Sequence, residues 1–545
     1  MKRKSIKRFM TCLMAAVMCL TVSTAFVGCS SGGGNEKPVD PNKTQLYLGV
    51  TSEGLDESWL SPLIDEFEKT YPQYQVYIDP IATEDVPAIE TDMPSQRQDL
   101  YFLQSLSQQE NLFKQGFLED ITDIVTVGDS AFENGTSIES KIKEEYKKRY
   151  QSVGADGNAR YFGIPYASLP YGIIYDADLF ESKSLYNLPS YKGLDGIGGN
   201  ADDKYGPDGL PNTYDDGLPA TWEDFKELIK AMPKKGVTPF VWSGEHSSYR
   251  LNFMHALVAG YEGADQYRQY YDFEGTDYNS GQEISLSNGY LLVNRPGQQA
   301  ALQAAYDIVS KTENFSNKSF FLSTTHLGAQ NEFILSTRTS SPIGMLLEGI
   351  WWEHEAAATF KEMEGFGSQY GYGQRNFKFM PLPKFIGTSG IADQTNTKRT
   401  VYEITGQAIV CMNAASQHKD GAELFLRFVH TDKALKAFTL DNGLLRPYNY
   451  TLSDEEYNKL TPFGRSVWDM WTSENVELTH SLVFKDEVLA NSAYTSGLQF
   501  NSEYGEDAFT DPMRAFFSNE GLTVQQYMQG KANVYNATRW ANSII

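Results

Sequence analysis

Two stretches of the chain carry side chains whose types and spacing suit contact with a small ligand. The first runs from Gly344 to Phe360 and reads G-M-L-L-E-G-I-W-W-E-H-E-A-A-A-T-F. Its apolar run, Met345 to Leu347, reads as a buried strand. A Gly-Ile turn follows, then Trp351 and Trp352, then an Ala- and Glu-rich helix. An indole offers a large flat face and one N–H donor, so at a strand-to-helix turn it suits a partner that is apolar and partly wet. A pyranose ring has such a face, and concave sites with aromatic walls and a few placed polar groups hold small ligands generally. The competing reading makes both indoles core.

The second stretch, Asp195 to Gly217, sets Asp195, Asn200, Asp202, Asp203, Asp208, Asn212, Asp215 and Asp216 among glycines. Calcium takes about six to eight oxygens from a loop that folds tightly, and this composition supplies both. The spacing is not that of the EF-hand loop, because no Glu closes it. Asp202, Asp208, Asn212, Asp215 and Asp216 are the candidate ligands for a structural Ca²⁺. A solvated acidic loop is the alternative.

Signatures of catalysis are absent. There is no Gly-x-Ser-x-Gly, Cys-x-x-Cys or phosphate-binding glycine loop, and His354-Glu355 does not extend to His-Glu-x-x-His. A glycoside hydrolase needs only two carboxylates, so among 70 acidic residues that class survives as an alternative.

The elements that must position these residues follow from the totals and the pattern. A chain of 545 residues with 41% hydrophobic composition has room for two or more domains. Its formal net charge is −24, and five Lys or Arg and no acid fall in the first 28 residues, so the rest carries −29. Such a charge argues against nucleic acid as a partner and fits a neutral or cationic ligand. Of four cysteines, Cys12, Cys19 and Cys29 lie at the start, and Cys411 sits alone in the apolar run A-I-V-C-M. The body therefore has no internal disulfide, and Cys411 reads as a buried inert thiol.

Residues 1–28 show a basic start and an apolar run ending at Phe26-Val27-Gly28, directly before Cys29. That is a secretory signal peptide, and a cysteine after a small residue resembles a bacterial lipobox, with Cys29 as the lipidated residue. Residues 29–43, rich in Ser, Gly and Pro, read as a flexible tether.

From there strands and helices alternate. Gln45–Val50 and Val76–Ile78 alternate as strands around a helix whose N-cap and first residue would be Ser61 and Pro62. This βαβ spacing predicts a parallel sheet with ligand-facing loops at the carboxyl ends of its strands, Thr51–Gly54 and Gln104–Ser107. Asp99–Leu103 gives a third strand. Thr221 caps a helix over Trp222–Met232, and Pro239–Trp242 is a strand opening into the rim loop Ser243–His246. Helical patterns fill 249–270 and 297–312, Tyr402–Met412 reads as one strand, and Gly421–Val429 as a helix. Tyr249 reads as the first turn of a packed helix as readily as a site residue.

In this order the segments Leu63–Pro72, Gln98–Phe102, Tyr161–Phe180, Pro219–Met232, Gly344–Trp352, Met380–Lys384, Tyr402–Phe428 and Asn442–Pro447 resemble the extracellular solute-binding proteins of ABC sugar importers, the maltose-binding-protein-like class. Asp176 departs from the Asn common at its position, and the chain is longer than is typical. The resemblance implies an α/β fold of two lobes, a periplasmic-binding-protein-like fold of class II with a ligand cleft between them. The chain would cross between lobes near Pro165, Ile404 and Tyr448. The first lobe would take 44–165 plus 405–448, and the second 166–404 plus 449–545.

It further implies a monomeric, non-catalytic protein that captures a carbohydrate and delivers it to an ABC permease. The protein would be held on the extracellular face of the cell membrane by its lipid, as in Gram-positive bacteria. By position the ligand would meet Ser52, Glu53 and Gln104 from the first lobe, and Tyr171 at the crossing. The second lobe would add Trp242, Glu245, Glu348, Trp351 and Trp352, with Trp351 where an indole stacks on the sugar. Arg446 is a further candidate, against a plain surface ion pair. Some relatives carry calcium in an inserted acidic loop. A peptide or other non-sugar solute, or a surface glycan-binding protein without a transport role, are the alternatives.

Overall fold

Leu46, Leu48 and Val50 are all buried in the first strand, β1 (Thr44–Thr51). The computed structural model describes residues 37–51, 55, 57–154, 156–385, 399–404, 408–480, 497–504 and 511–544, and the elements named below belong to the compact unit Pro38–Ile545. The strands of its two larger sheets are β1, β2 (Tyr74–Ile81), β3 (Leu100–Leu103), β4 (Ile164–Pro165), β5 (Tyr171–Asp176), β6 (Thr238–Val241), β7 (Ile343–Gly349), β8 (Phe377–Met380) and β9 (Ile409–Met412).

One sheet has the order β2-β1-β3-β9-β4 and the other β8-β5-β7-β6. In the first, β1 runs parallel to β2 and β3, while β9 is antiparallel to β3 and β4. In the second, β5 is antiparallel to β7 and β8, and β6 is parallel to β7. The first sheet draws its strands from 44–165 and 409–412 and the second from 171–380, so each of the two lobes has its own sheet.

Helix α1 (Leu60–Thr70) buries Leu60, Leu63, Ile64 and Phe67 on the face toward the first sheet. It starts before the expected Ser61, and no side chain caps it. The amides of Leu60 and Ser61 donate instead to the carbonyls of Glu57 and Ser58 at 3.0 and 3.2 Å, so a preceding turn satisfies donors that a Ser cap would have served. Helix α2 (Trp222–Lys234) does carry its cap, with Thr221 accepting from the Asp224 amide at 3.1 Å. Asp176, at the position that departs from the common Asn, caps Ala177–Ser182 by accepting from the Leu179 amide at 3.0 Å.

The run Tyr402–Met412 is not one strand. Arg399–Glu403 pairs in parallel with Val476–His480, a strand absent from the sequence reading, and Ile409–Met412 joins the first sheet. In sequence, Thr405, Gly406 and Gln407 separate the two strands. The crossing segments bind one another: the Tyr448 hydroxyl donates to the Pro165 carbonyl at 2.8 Å, and the Ser168 and Ile404 amides donate to Leu445 and Leu169 at 3.0 and 3.2 Å. Beneath them the buried Glu403 accepts from the Tyr146 hydroxyl at 2.6 Å and lies 3.0 Å from His480 Nδ1. Cys411 is buried and free, and burial pushes its thiol up. Among the described residues no helix is long and apolar enough to cross a membrane.

Candidate functional site

The site is built on the carboxyl end of β7. Its seven residues are all buried, and antiparallel pairing sets Glu348 opposite Gly172 and Gly349 opposite Tyr171. Glu348 is 1% exposed. Its Oε1 accepts from the Gly349 amide at 2.9 Å and its Oε2 from Gln330 Nε2 at 3.3 Å. The same Gln330 nitrogen donates to Glu355 Oε2 at 2.8 Å, so one carboxamide bridges two carboxyl groups. Burial first, and the Glu355 charge second, push the Glu348 carboxyl well above the usual range. Gln330 comes from helix α4 (His326–Leu335) and Glu355 from the short helix Trp352–Glu355 that follows the turn.

Over this pair lies a wall of rings. Trp351 is 7% exposed, and its indole lies across Gly349, where any Cβ would collide with the six-membered ring. Tyr171 stands 6.2 Å from Trp351 and 6.4 Å from Tyr249, centroid to centroid. Tyr249 lies parallel to His326 at 6.0 Å. The Tyr171 hydroxyl donates to the Tyr249 carbonyl at 2.7 Å. Tyr249 enters from the first turn of helix α3 (Ser247–Glu262). That helix is held to the rim loop by Arg250, which bonds Asp511 at 2.6 Å and the Ser243 carbonyl. Burial pushes the Tyr171 and Tyr249 hydroxyls up, with Glu348 adding to both; they stay neutral and act as donors or acceptors. Rings and carboxyl groups so placed can stack on a ligand and accept its hydrogen bonds.

Of the residues named from sequence, the structure brings Tyr171, Glu348 and Trp351 together. Trp242 and Trp352 are corrections: both are fully buried core. Trp242 packs among Phe240, Phe315 and Phe320, and Trp352 among Phe333, Phe360, Phe377 and Phe463. Glu245 is exposed on the rim, 3.7 Å from His246. Gln104 follows β3, and its Oε1 is buried with no hydrogen-bond partner. Arg446 is neither a rim nor a surface residue. It is buried with its Nη2 2.7 Å from His430 Nε2, inside the rings of Trp59, Tyr166, Phe438 and Tyr448. Ser52, Glu53 and Cys29 lie outside the described residues. Sequence reasoning missed Gln330, Glu355 and His326, and left Tyr249 undecided.

In the acidic loop the structure joins four of the five candidate ligands in two pairs, Asp208 with Asp215 and Asn212 with Asp216. Asp215 Oδ2 accepts from the Asp208 amide at 2.9 Å and Oδ1 from the Thr213 hydroxyl at 2.8 Å. Burial and the neighbouring Asp208 push Asp215 up, and burial pushes Asp208 up. Asp202 and Asp216 accept instead from the amides of Asp195 and Asn212. Among the described residues no three His, Cys, Asp or Glu side chains group to hold a metal, so calcium would draw on Asp208 and Asp215 and otherwise on carbonyls and water.

A cavity of about 1030 Å³ lies apart from this site, at the crossings, lined by Lys143, Tyr448, Trp471 and His480 among others. The Lys143 ammonium caps the Trp471 ring at 3.7 Å.

The profile of the family described as bacterial extracellular solute-binding protein matches residues 62–461. No curated protein matches the chain. Among solved structures the chain is similar to the binding protein RafE in complex with raffinose, at 15% identity and a TM-score of 0.55, over 92% of this chain and 100% of that one. It is similar to a probable secreted solute-binding lipoprotein from Streptomyces coelicolor, at 11% identity and 0.56, over 91% and 99%. A maltotriose-binding protein of Thermus thermophilus, bound with maltotriose, matches at 14% and 0.50, over 92% and 100%. At these identities the likeness is one of fold.

Proposed function

The chain belongs to the bacterial extracellular solute-binding proteins, and from that premise we propose that its solute is a carbohydrate, an oligosaccharide taken between the lobes and passed to an ABC permease without turnover. The observation that carries this reading is the Trp351–Tyr171–Tyr249 wall above the Glu348–Glu355 pair. Sugar C–H faces bury against rings, and sugar hydroxyls donate to carboxylates, whose charge-assisted bonds are the stronger kind. Two of the similar structures are described with raffinose and maltotriose, which supports the same class. The mutual hydrogen bonds of the crossings supply a hinge about which the lobes close on ligand.

The basic start, apolar run and Gly28-Cys29 pair support a lipid anchor at Cys29 on the outer face of the membrane. Mass spectrometry of native protein showing a lipidated N-terminal Cys29 is the expected result, and an unmodified N-terminus elsewhere contradicts it. The buried Asp208–Asp215 pair supports calcium in the acidic loop.

The class of solute is tested by melting the purified protein with a panel of oligosaccharides and of short peptides. A true ligand at about 100 times its dissociation constant stabilises by about 2.7 kcal/mol. A sugar that raises the melting temperature supports the reading; a response to peptides alone replaces it.

A further inference from the structure

A second concave place in the molecule is the cavity of about 1030 Å³ at the crossings, and the helix Pro462–Thr472 separates it from the ring wall. At the start of that helix Thr461 donates to Glu353, two residues beyond Trp351, at 2.6 Å. Near its end Trp471 lines the cavity. At about 1.5 Å per residue these ends stand about 15 Å apart. The helix is tied to the second sheet, since the Ser466 hydroxyl accepts from the Phe379 amide of β8 at 2.9 Å. Lys143 enters from the stretch that builds the first sheet. Its amide donates to the Pro447 carbonyl at 3.1 Å, and its ammonium stands 3.7 Å over the Trp471 ring. A cation of one lobe thus meets a ring of the other inside the cavity.

That cation has no counter-ion. Its neighbours in the chain do: Lys141 pairs with Glu133 and Lys147 with Glu144, and across the cavity Arg268 pairs with Asp272. Among the described residues Lys143 is half-buried and makes neither an ion pair nor a side-chain hydrogen bond. Burial pushes its ammonium down, against the pull of Glu145 and Glu403. That is the behaviour of a cation drawn from water without a partner close enough to hold it charged.

The rest of the lining narrows the occupant. Tyr448, Tyr450, Trp471, Val476 and Leu478 give the cavity apolar walls, which suit a ring or hydrocarbon body. Lys148, exposed at its edge, adds a second positive charge. Asp432 and Glu144 also border it and are held by Lys141 and Lys147. Glu145, Asp265 and Glu477 remain, and they would repel an ion carrying two negative charges. A single carboxylate fits, because its bond to an ammonium is charge-assisted. We propose that the crossing cavity is a second binding site, for a small monocarboxylate with an aromatic or other apolar body, whose carboxylate bonds the Lys143 ammonium between the lobes. The inference rests on the cavity and on Lys143, and it stands or falls apart from the carbohydrate reading.

The test is a calorimetric titration of the purified protein with benzoate, benzyl alcohol and benzylamine, which share a ring and differ in charge. Benzoate is expected to bind saturably, on the order of tenfold tighter than benzyl alcohol, and benzylamine not at all. Lys143→Met keeps most of the stem and removes the charge, so it should abolish the preference for benzoate. Trp351→Ala should leave the benzoate affinity unchanged. Should Lys143→Met fail to fold, the native protein made with isotope-labelled lysine gives a second reading: benzoate should shift the Lys143 side-chain resonance and benzyl alcohol should not. Benzyl alcohol or benzylamine binding as tightly as benzoate overturns the choice of an anion. Benzoate binding that is lost in Trp351→Ala, or that keeps its full strength in Lys143→Met, overturns the site. Failure of benzoate to bind at all overturns the inference.

Discussion

The Tyr171 hydroxyl donates to the main-chain carbonyl of Tyr249 at 2.7 Å. Tyr171 opens β5 just past the first crossing, and Tyr249 sits in the first turn of α3. One bond thus sets the angle between helix and sheet at which both rings meet Trp351. Tyr171→Phe keeps the ring and removes the donor, so it should lower stability by about 1 kcal/mol, read from the midpoint of urea unfolding. An unchanged midpoint would count against the bond.

Trp242→Ala and Trp352→Ala should each destabilise by about 3–5 kcal/mol, the usual cost of emptying a buried aromatic site. Both are fully enclosed by phenylalanines. Denaturant unfolding measures this. A variant that kept its stability and lost its ligand would return that tryptophan to the cleft.

The contrast between Trp351 and Trp352 shows how much of the site was legible. A strand end followed by a turn is visible in the sequence, and it located Glu348 and Trp351. Consecutive residues entering a helix point about 100° apart, so one indole joins the wall while the next enters the core, and the pair W-W does not say which. Gln330 and Glu355 complete the carboxyl bridge through the packing of α4 against β7, a contact with no periodicity to betray it. Arg446 misled for a related reason. It was a ligand candidate or a plain surface ion pair, yet four rings and His430 enclose it. The βαβ spacing made a parallel sheet readable, and the two lobes followed only from the resemblance; the division of Tyr402–Met412 was missed although Thr405, Gly406 and Gln407 interrupt its apolar residues.

Glu353 makes stability depend on pH. Burial pushes its carboxyl up to about 7, while in the unfolded chain it titrates at about 4.3. The folded state therefore holds the proton more tightly, and the stabilisation present below pH 4 is lost as pH rises to 7. Glu353→Gln removes the titration and keeps an acceptor for the Thr461 hydroxyl, now at 2.6 Å. It should stabilise the protein at pH 8 by on the order of 3 kcal/mol and hardly at all at pH 4. Equal effects at both pH values would show that the carboxyl is not buried as described.

Calcium should act through the same sign. Burial raises Asp208 and Asp215 in the folded state, so their cost grows as pH rises above the ordinary carboxylate range. A bound Ca²⁺ would offset it. Added calcium should raise the melting temperature at pH 8 more than at pH 5, and a chelator should reverse the gain. No shift at either pH, with no metal in the purified protein, would leave the loop a polar surface.

The central claim is that a carbohydrate stacks on Trp351, and titration calorimetry of an oligosaccharide identified by melting, against native protein and Trp351→Ala, tests it most directly. The account predicts saturable binding to the native protein and a loss on the order of 2 kcal/mol in the variant, about thirtyfold in dissociation constant. Failure of every carbohydrate to bind, or an affinity unchanged in a Trp351→Ala protein that melts early, would contradict it.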